Sequence, residues 1–350
     1  MTFTPDRLRE LAARLLAAAG ASADDALVVA AHLVDSNLAG HDSHGVGMLP
    51  QYVRAIGKGV LDPRAHALVE DRGGAVLAAD GRKGFGQVVA REAVAAAMAR
   101  ARETGVAAVA LRNAFHVGRV GTYGEQAAAA GLASVHFVNV VGHGPLVAPF
   151  GGSDARLSTN PICVAVPDPG GAPPFLLDFA TSVVALGKVR VALDRGVAVP
   201  PGQLLDASGR PTTDPAAMFS DPRGAILPFG LHKGYGLALA CELLAGALGG
   251  GGTLPTVARE PERITNNMLS FVLDPARLPG AGAAAAEMAA ALRHVKASRS
   301  ADPAPVLVAG EPERLARARR LGAGIPVDEA TWAQIVEAGR SVGLALPAVP

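Results

Sequence analysis

Residues 106–141 read VAAVALRNAFHVGRVGTYGEQAAAAGLASVHFVNVV, and this stretch decides the fold class. An apolar, strand-like run passes through a glycine-rich loop into an alanine-rich helical run, and a second apolar run follows. The preceding residues, 75–105, show the same order of a strand-like and a helical pattern. This alternation predicts an α/β domain. The glycines at 118, 121 and 124 are spaced three apart, so the stretch lacks the G-x-G-x-x-G fingerprint of a Rossmann dinucleotide site.

Helical patterns dominate the chain ends, and short apolar runs dominate the middle. Thr4 and Ser22 are N-cap residues, and they predict two helices within the first 40 residues. Gly and Pro punctuate short strand-like runs from 142 to 182, whereas 232–248 predicts a strongly apolar helix. APVLVAGEPE, residues 304–313, predicts a strand that enters a turn. Two further helices are expected before the chain ends.

The composition predicts a packed globular protein, because half of the 350 residues are hydrophobic and the net charge is +1. No basic run stands out and aromatic residues make up only 4%, which argues against a nucleic-acid or lipid surface. Cys163 and Cys241 lie in apolar contexts and predict buried thiols in a reducing compartment. The N-terminus is amphipathic, unlike a signal peptide, and no apolar run is typical of a membrane span. We therefore expect a soluble cytoplasmic protein.

Histidines in two loops are candidates for acid–base chemistry. HDSHG, residues 41–45, follows an apolar helical segment, and a neutral imidazole is the side chain best suited to exchange a proton near neutral pH. His44 is therefore a candidate general acid; the alternative is a helix-end histidine bonded to backbone. In FHVGRVG, His116 and Arg119 lie on a loop at the carboxyl end of a strand, where sites are often found. The alternative there is a tight turn that needs glycine at positive φ.

Two further junctions combine charge with helix starts. Asp178 ends an apolar strand before Thr181 and Ser182, where it can orient a histidine or bind a ribose hydroxyl; the alternative is a simple N-cap. Lys233 follows His232 at the start of an apolar helix. A cation at that end is unfavourable unless an anionic ligand binds there. No H-x-x-x-H or H-x-x-E-H pattern occurs, so no metal is predicted and a zinc hydrolase is the weaker alternative class.

Seven segments, in order from residue 40 to residue 313, resemble the type 2 malate/L-lactate dehydrogenase family: GHDSHGVGMLPQYV, FHVGRVG, APFGGSDARLSTNPICVAVP, LLDFATS, GKVRVA, HKGYGLAL and GEPE. The resemblance implies a non-Rossmann NAD(P)-binding domain with a mixed, largely antiparallel sheet, here residues 76–281. It also implies a mainly helical domain built from both chain ends, 1–75 and 282–350. A homodimer that binds a small 2-oxo or 2-hydroxy acid, and neither nucleic acid nor membrane, is expected.

The resemblance also implies the reaction and its residues. A 2-oxo acid would be reduced by hydride from NADPH or NADH, with NADPH favoured. His44 matches the histidine that gives a proton to the ketone oxygen, His116 matches a second active-site histidine, and Asp178 would orient one of them. Ser43, Thr159 and Asn160 would line the substrate pocket. The implied cofactor contacts are Leu176, Leu177, Asp178, Phe179, Ala180, Thr181, Ser182, Lys188, His232, Lys233, Gly234, Ala309, Gly310 and Glu311.

One position departs from the family pattern. Many members have an arginine four residues after the histidine of SHG, where it can bind a substrate carboxylate bidentately, and this chain has Met48. We expect Arg119 to replace that arginine. Met48 predicts room for an apolar or aromatic side chain, so a bulkier acid such as phenylpyruvate is expected over malate or lactate. Reduction of cyclic imines and oxidation of ureidoglycolate, which relatives perform with similar motifs, stay open.

Overall fold

The computed structural model describes residues 1–301 and 304–347. The predicted helical domain also includes 302–303 and 348–350, which lie outside the described residues. The α-helices are α1 (Pro5–Ala18), α2 (Ala23–Leu38), α3 (Leu49–Gly57), α4 (Gly86–Thr104), α5 (Gly121–Ala129), α6 (Leu186–Asp194), α7 (His232–Cys241), α8 (Ala284–Lys296), α9 (Glu311–Ala323) and α10 (Glu329–Ser341). The strands are β1 (Thr2–Phe3), β2 (Leu68–Asp71), β3 (Val76–Asp80), β4 (Val106–Phe115), β5 (Ala133–Val141), β6 (Ile162–Val166), β7 (Phe175–Phe179), β8 (Leu204–Leu205), β9 (Pro211–Thr212), β10 (Ala225–Ile226), β11 (Thr265–Leu273) and β12 (Ile325–Pro326).

A seven-stranded sheet forms the centre, in the order β2-β3-β4-β11-β5-β6-β7. β3 and β4 are parallel, and α4 is the crossover that a parallel pair requires. The other neighbouring strands are antiparallel. In β4, Ala107, Val109 and Leu111 alternate into the core at the two-residue period of a strand. The mixed, largely antiparallel α/β fold predicted from the sequence is therefore confirmed.

A second core joins the two ends of the chain. Leu8, Leu11 and Leu15 lie on one face of α1 at helical spacing, and all three are buried. Trp332 of α10 is buried in the same cluster, with its ring centroid 4.6 Å from that of Phe3. This helical core continues into the sheet body, because side chains at the start of α4 and the end of β4 belong to it.

Local predictions succeed at the helix starts and fail in one extended run. The side chains of Thr4 and Ser22 cap α1 and α2, as predicted. Residues 304–310 were expected to form a strand, but they join no sheet. Leu176 N–H of β7 donates a hydrogen bond to Ala309 O of this run. A single hydrogen bond does not form a strand pairing. The predicted domain boundary at residue 75 falls between β2 and β3, which are hydrogen-bonded neighbours in the sheet.

The three glycines that replace the Rossmann fingerprint serve close packing. Gly118 has φ of +72°, and a Cβ there would lie 2.3 Å from His32 Nε2. A Cβ at Gly121 would lie 2.7 Å from Asp178 Oδ2, and one at Gly124 would collide with side chains of β6 and β7. Each glycine therefore lets the loop and α5 approach neighbouring side chains more closely than another residue would allow.

Two remaining expectations concern the thiols and the membrane. Cys163 and Cys241 are buried free thiols, as their apolar contexts predict. Within residues 1–301 and 304–347, no helix combines the length and apolar character needed to cross a bilayer.

Candidate active site

Two of the predicted catalytic histidines meet, although 72 residues separate them in the chain. His44 ends a short 3-10 turn, Asp42–His44, that follows α2, and His116 directly follows β4. His44 Nδ1 lies 3.3 Å from His116 Nε2. The two rings are nearly parallel, with 16° between their planes and 5.3 Å between their centroids. The fold thus builds a histidine pair from two separate motifs.

Both rings of the pair are held neutral. Burial, reinforced by the positive charge of His41 and Arg119, lowers the pKa of His44 to about 4. Burial is the main cause that lowers the pKa of His116 well below its usual value, and the neighbouring histidine rings disfavour its protonation further. At neutral pH each ring therefore carries a single N–H and a single lone pair.

Tyr52 and Gln87 complete the surroundings of His116, and sequence reasoning missed both. The Tyr52 hydroxyl lies 2.8 Å from His116 Nδ1, and Gln87 Nε2 donates to the same hydroxyl at 2.6 Å. Tyr52 is fully buried. Its place in LPQYV, on an apolar helix face, is the signal of a core residue, so the sequence alone gives no sign of the contact.

Two more histidines lie near the pair. His32 of α2 is buried, and its Nε2 accepts the backbone N–H of Arg119 at 3.0 Å. Burial lowers the pKa of His32 to about 3, so it stays an acceptor. His143 donates from Nδ1 to Gly144 O at 2.6 Å and lies 3.3 Å from the hydroxyl of Ser158. Neither His32 nor His143 was among the predicted site residues.

Asp178 contacts the start of α5 and Arg119 rather than the histidine pair. Its Oδ2 accepts the N–H of Gly121 at 2.7 Å and lies 3.7 Å from Arg119 Nε. Burial raises the pKa of Asp178, and the charge of Arg119 opposes that shift. Among the described residues, Asp178 makes no hydrogen bond to His44 or His116. The geometry therefore favours Tyr52, rather than the expected Asp178, as the group that orients His116.

Arg119 forms an ion pair within the protein. Its side chain is fully buried, and its two terminal nitrogens donate to the carboxylate of Glu125 at 3.0 and 3.1 Å. This geometry favours a structural role over the expected substrate-carboxylate contact. Met48 is partly buried and packs against the helical core. Ser43 lies against α6, because a Cβ at Gly187 would be 3.3 Å from its Cβ.

The segments expected to contact the cofactor are tied to one another. Thr181 donates from both its N–H and its hydroxyl to Thr159 O, each at 2.9 Å. Phe229 N–H donates to Thr181 O at 3.0 Å, which joins the end of β7 to the loop before α7. Leu176 N–H donates to Ala309 O at 3.4 Å, which places the 309–311 turn against β7.

The side-chain amide of Asn160 forms three hydrogen bonds within the protein. Its Nδ2 donates to Glu242 Oε1 at 2.9 Å and to Ala238 O at 3.0 Å, and its Oδ1 accepts Val140 N–H at 3.2 Å. Asn160 is fully buried. Its amide is therefore engaged by Glu242, Ala238 and Val140 rather than directed at a substrate as expected.

The residues present fit a nicotinamide dinucleotide. A Cβ at Gly234 would lie 2.3 Å from Phe229 O, so glycine is required where α7 begins. Lys188 and Lys233 are exposed and, within the described ranges, form no ion pair. The unpaired ammonium group of Lys233, in the first turn of α7, suits a pyrophosphate at this glycine-lined helix start. In the 309–311 turn, the carboxylate of Glu311 is paired with Lys296 at 2.6 Å.

The histidine pair can exchange a proton, and the glycine-lined start of α7 with Lys233 can hold a dinucleotide phosphate. In the part of the chain that the structure describes, no three His, Cys, Asp or Glu side chains are grouped so that they could hold a metal ion. This site combines a neutral histidine pair with a phosphate-binding helix start, on a sheet that is not a Rossmann sheet. The combination is that of a nicotinamide-dependent oxidoreductase.

Comparison with known proteins identifies the family. The chain belongs to the malate/L-lactate dehydrogenase family, whose model matches residues 3–336. Hydroxycarboxylate dehydrogenase B of Escherichia coli is 47% identical over 327 residues, covering 93% of this chain and 90% of the relative. An L-lactate dehydrogenase of Cupriavidus necator is 41% identical over 343 residues, covering 97% of each chain.

A solved structure of a malate/lactate dehydrogenase from E. coli matches this fold with a TM-score of 0.95. The two chains are 44% identical, and the match covers 98% of this chain and 96% of that one. The protein is therefore an oxidoreductase that acts on hydroxy acids with a pyridine nucleotide.

Proposed function

We propose that the protein interconverts 2-oxo and 2-hydroxy acids by hydride transfer, with His44 as the residue that exchanges the proton. The observation that carries the proposal is the contact of His44 Nδ1 with His116 Nε2 at 3.3 Å. That contact engages one ring nitrogen of His44 and leaves Nε2 as the nitrogen for the substrate oxygen. His116 and Asp178 then act as supporting groups of the same site.

The nicotinamide, when bound, supplies the hydride to the carbonyl carbon. His44 Nε2 gives its proton to the carbonyl oxygen and takes it back in the reverse direction. Because the pKa of His44 is lowered to about 4, the ring of the free protein is neutral at neutral pH. A substrate carboxylate would raise that pKa on entering the site, because a nearby negative charge favours the imidazolium. Binding of the oxo acid thus prepares the proton donor.

The finer preferences rest on single residues. Met48 stands where many relatives have a carboxylate-binding arginine, so we propose that bulkier acids such as phenylpyruvate are preferred. Lys188 offers an unpaired ammonium group for the extra phosphate of NADPH, which we propose as the favoured cofactor. We also propose a homodimer, as the resemblance implies, and a cytoplasmic location, as the composition and the amphipathic N-terminus indicate.

The test combines a substrate panel with one variant. Purified protein is mixed with NADPH or NADH and a series of 2-oxo acids from pyruvate to phenylpyruvate, and the loss of reduced nicotinamide absorbance is followed. His44→Gln should lower kcat by about 10²–10⁴-fold, the usual contribution of a positioned acid–base group. His66→Gln, a substitution at a half-exposed surface histidine, is the matched control and should leave kcat unchanged.

Three outcomes would contradict the proposal. Fastest turnover of malate or lactate would refute the preference for bulkier acids. A cyclic ketimine that outcompetes every oxo acid would move the reaction from ketone to imine reduction. A His44→Gln variant with wild-type kcat would remove His44 from the chemistry.

A further inference from the structure

The neutral ring of His116 lies between two partners but has only one hydrogen to donate. Tyr52 faces Nδ1 at 2.8 Å, and His44 Nδ1 faces Nε2 at 3.3 Å. A neutral imidazole donates from one nitrogen and accepts at the other. The choice between these two tautomers decides which nitrogen of His44 carries a hydrogen.

The surroundings of Tyr52 make that choice. Its hydroxyl oxygen accepts from Gln87 Nε2 at 2.6 Å, so its own hydrogen is free to point to His116 Nδ1. Burial raises the pKa of Tyr52 above its usual value, which keeps the phenol protonated. The ring is held between Phe85 and Phe115, at centroid distances of 5.9 and 5.7 Å. The hydroxyl is therefore fixed in position and able to donate.

We propose that Tyr52 is a positioning residue that sets the tautomer of His116 and, through it, leaves His44 with its hydrogen on Nε2. Gln87 donates to Tyr52, Tyr52 donates to His116 Nδ1, and His116 Nε2–H donates to His44 Nδ1. All hydrogen bonds of the chain then point toward the substrate side. The tautomer is a property of the substrate-free protein, whereas the hydrogen bond from His44 Nε2–H to a ketone oxygen rests on the proposed function.

The alternative is a chain in which every hydrogen bond from Gln87 to His44 runs in the opposite direction. Within the described residues, Gln87 Oε1 is buried with no hydrogen-bond partner. If the amide were rotated so that Oε1 accepted from Tyr52, every hydrogen bond in the chain would reverse. His44 Nε2 would then carry a lone pair in the substrate-free protein, with no hydrogen to direct at a ketone oxygen. The two arrangements place the single hydrogen of His116 on different nitrogens.

The experiment measures the tautomer in the substrate-free protein. Protein labelled with ¹⁵N at histidine gives long-range proton–nitrogen spectra that separate Nδ1–H from Nε2–H rings. The His116 signals are assigned by their loss in His116→Asn. We expect the Nε2–H tautomer in the wild type and a mixture of both tautomers in Tyr52→Phe, which removes only the hydroxyl.

Tyr123→Phe is the matched control. Tyr123 is also a fully buried phenol, but its hydroxyl donates to the backbone carbonyls of Gly86 and Val117. This control should keep the wild-type tautomer, whereas Tyr52→Phe should also lower kcat by about 10–100-fold, part of the usual acid–base contribution. The KM for the nicotinamide should change less than about twofold, because Tyr52 lies away from the cofactor segments.

Each result supports or overturns the inference. An Nδ1–H tautomer in the wild type overturns it without any variant, so a poorly folded Tyr52→Phe protein does not prevent the test. An unchanged tautomer in folded Tyr52→Phe also overturns it. A wild type with the Nε2–H tautomer that turns over no oxo acid would refute the proposed function and leave this inference standing.

Discussion

His136 is expected to make the fold sensitive to acid. It lies on β5 with no exposed surface, between the hydroxyls of Ser270, 2.7 Å from Nδ1, and Ser134, 3.0 Å from Nε2. Burial lowers the pKa of His136 to about 4. The same residue in the unfolded chain titrates near pH 6.5. Between these two values, only the unfolded chain gains a proton at this position.

The sign and size of the effect follow from proton linkage. Where the unfolded state binds more protons than the folded state, stability falls as the pH falls. At pH 4.5 the unfolded ring is protonated and the folded ring is mostly neutral. The pKa difference then corresponds to a loss of about 2–3 kcal/mol in the free energy of unfolding relative to pH 7, at about 1.36 kcal/mol for each pH unit. Below the folded pKa the loss stops growing.

The assay is urea unfolding of wild type and His136→Gln at pH 7 and at pH 4.5. The variant loses packing and two hydrogen bonds, so at pH 7 it should be less stable by about 1–3 kcal/mol. At pH 4.5 this gap should shrink by about 2–3 kcal/mol, because glutamine has no proton to gain. Far-ultraviolet circular dichroism and the fluorescence of Trp332 should give coincident transitions, as two-state analysis requires.

A second histidine supplies the control. His66 is half-exposed, and its hydrogen bond to Glu92 raises its pKa. Its contribution has the opposite sign: it is present at low pH and lost as the pH rises through the raised pKa. Exposure keeps that contribution small, so His66→Gln should shift stability little at either pH. If the gap between wild type and His136→Gln is the same at both pH values, the reasoning about His136 is wrong.

Two further predictions concern the supports of the site. Glu125→Gln removes the carboxylate from the fully buried guanidinium of Arg119, and it should lower the free energy of unfolding by about 2–3 kcal/mol in urea. The same change at the exposed Glu10 is the control, and equal losses would contradict a structural role for the buried pair. Gly234→Ala places a Cβ 2.3 Å from a backbone carbonyl and should raise the KM for NAD(P)H at least about tenfold. Gly236→Ala, in the same helix with open space around it, should leave that KM unchanged. Equal KM values for the two variants would refute cofactor binding at the start of α7.

Local signals in the sequence were sufficient for much of the fold. The caps at Thr4 and Ser22 depend only on a side chain and the next turn, so the helix starts could be predicted. The alternation in β4 likewise follows from a two-residue period. Residues 304–310 have the composition of a strand, but a strand also needs a partner with free backbone groups. The sequence does not say whether such a partner lies alongside.

The site was predictable where a motif marks it. His44 and His116 each belong to a recognisable segment, and the fold brings them into contact. Tyr52 and Gln87 lie on separate helices and have the pattern of core residues, so their contact exists only in three dimensions. Arg119 shows the opposite error. An arginine between glycines beside a candidate histidine suggests a ligand, yet its partner is Glu125, six residues further along the chain.

The contacts of Tyr52 show how packing between the helical core and the sheet affects the geometry of the histidine pair. His44 and Tyr52 belong to the helical body, whereas His116 directly follows Phe115 at the end of a sheet strand. Phe115 belongs to the helical core as well, and its ring lies against Tyr52 in an edge-to-face contact at 81°. The packing that joins the bodies therefore also sets the distance from the Tyr52 hydroxyl to His116. A hydrogen bond of 2.8 Å tolerates little movement, so a small shift between the two bodies would disturb the histidine pair before it exposed either core.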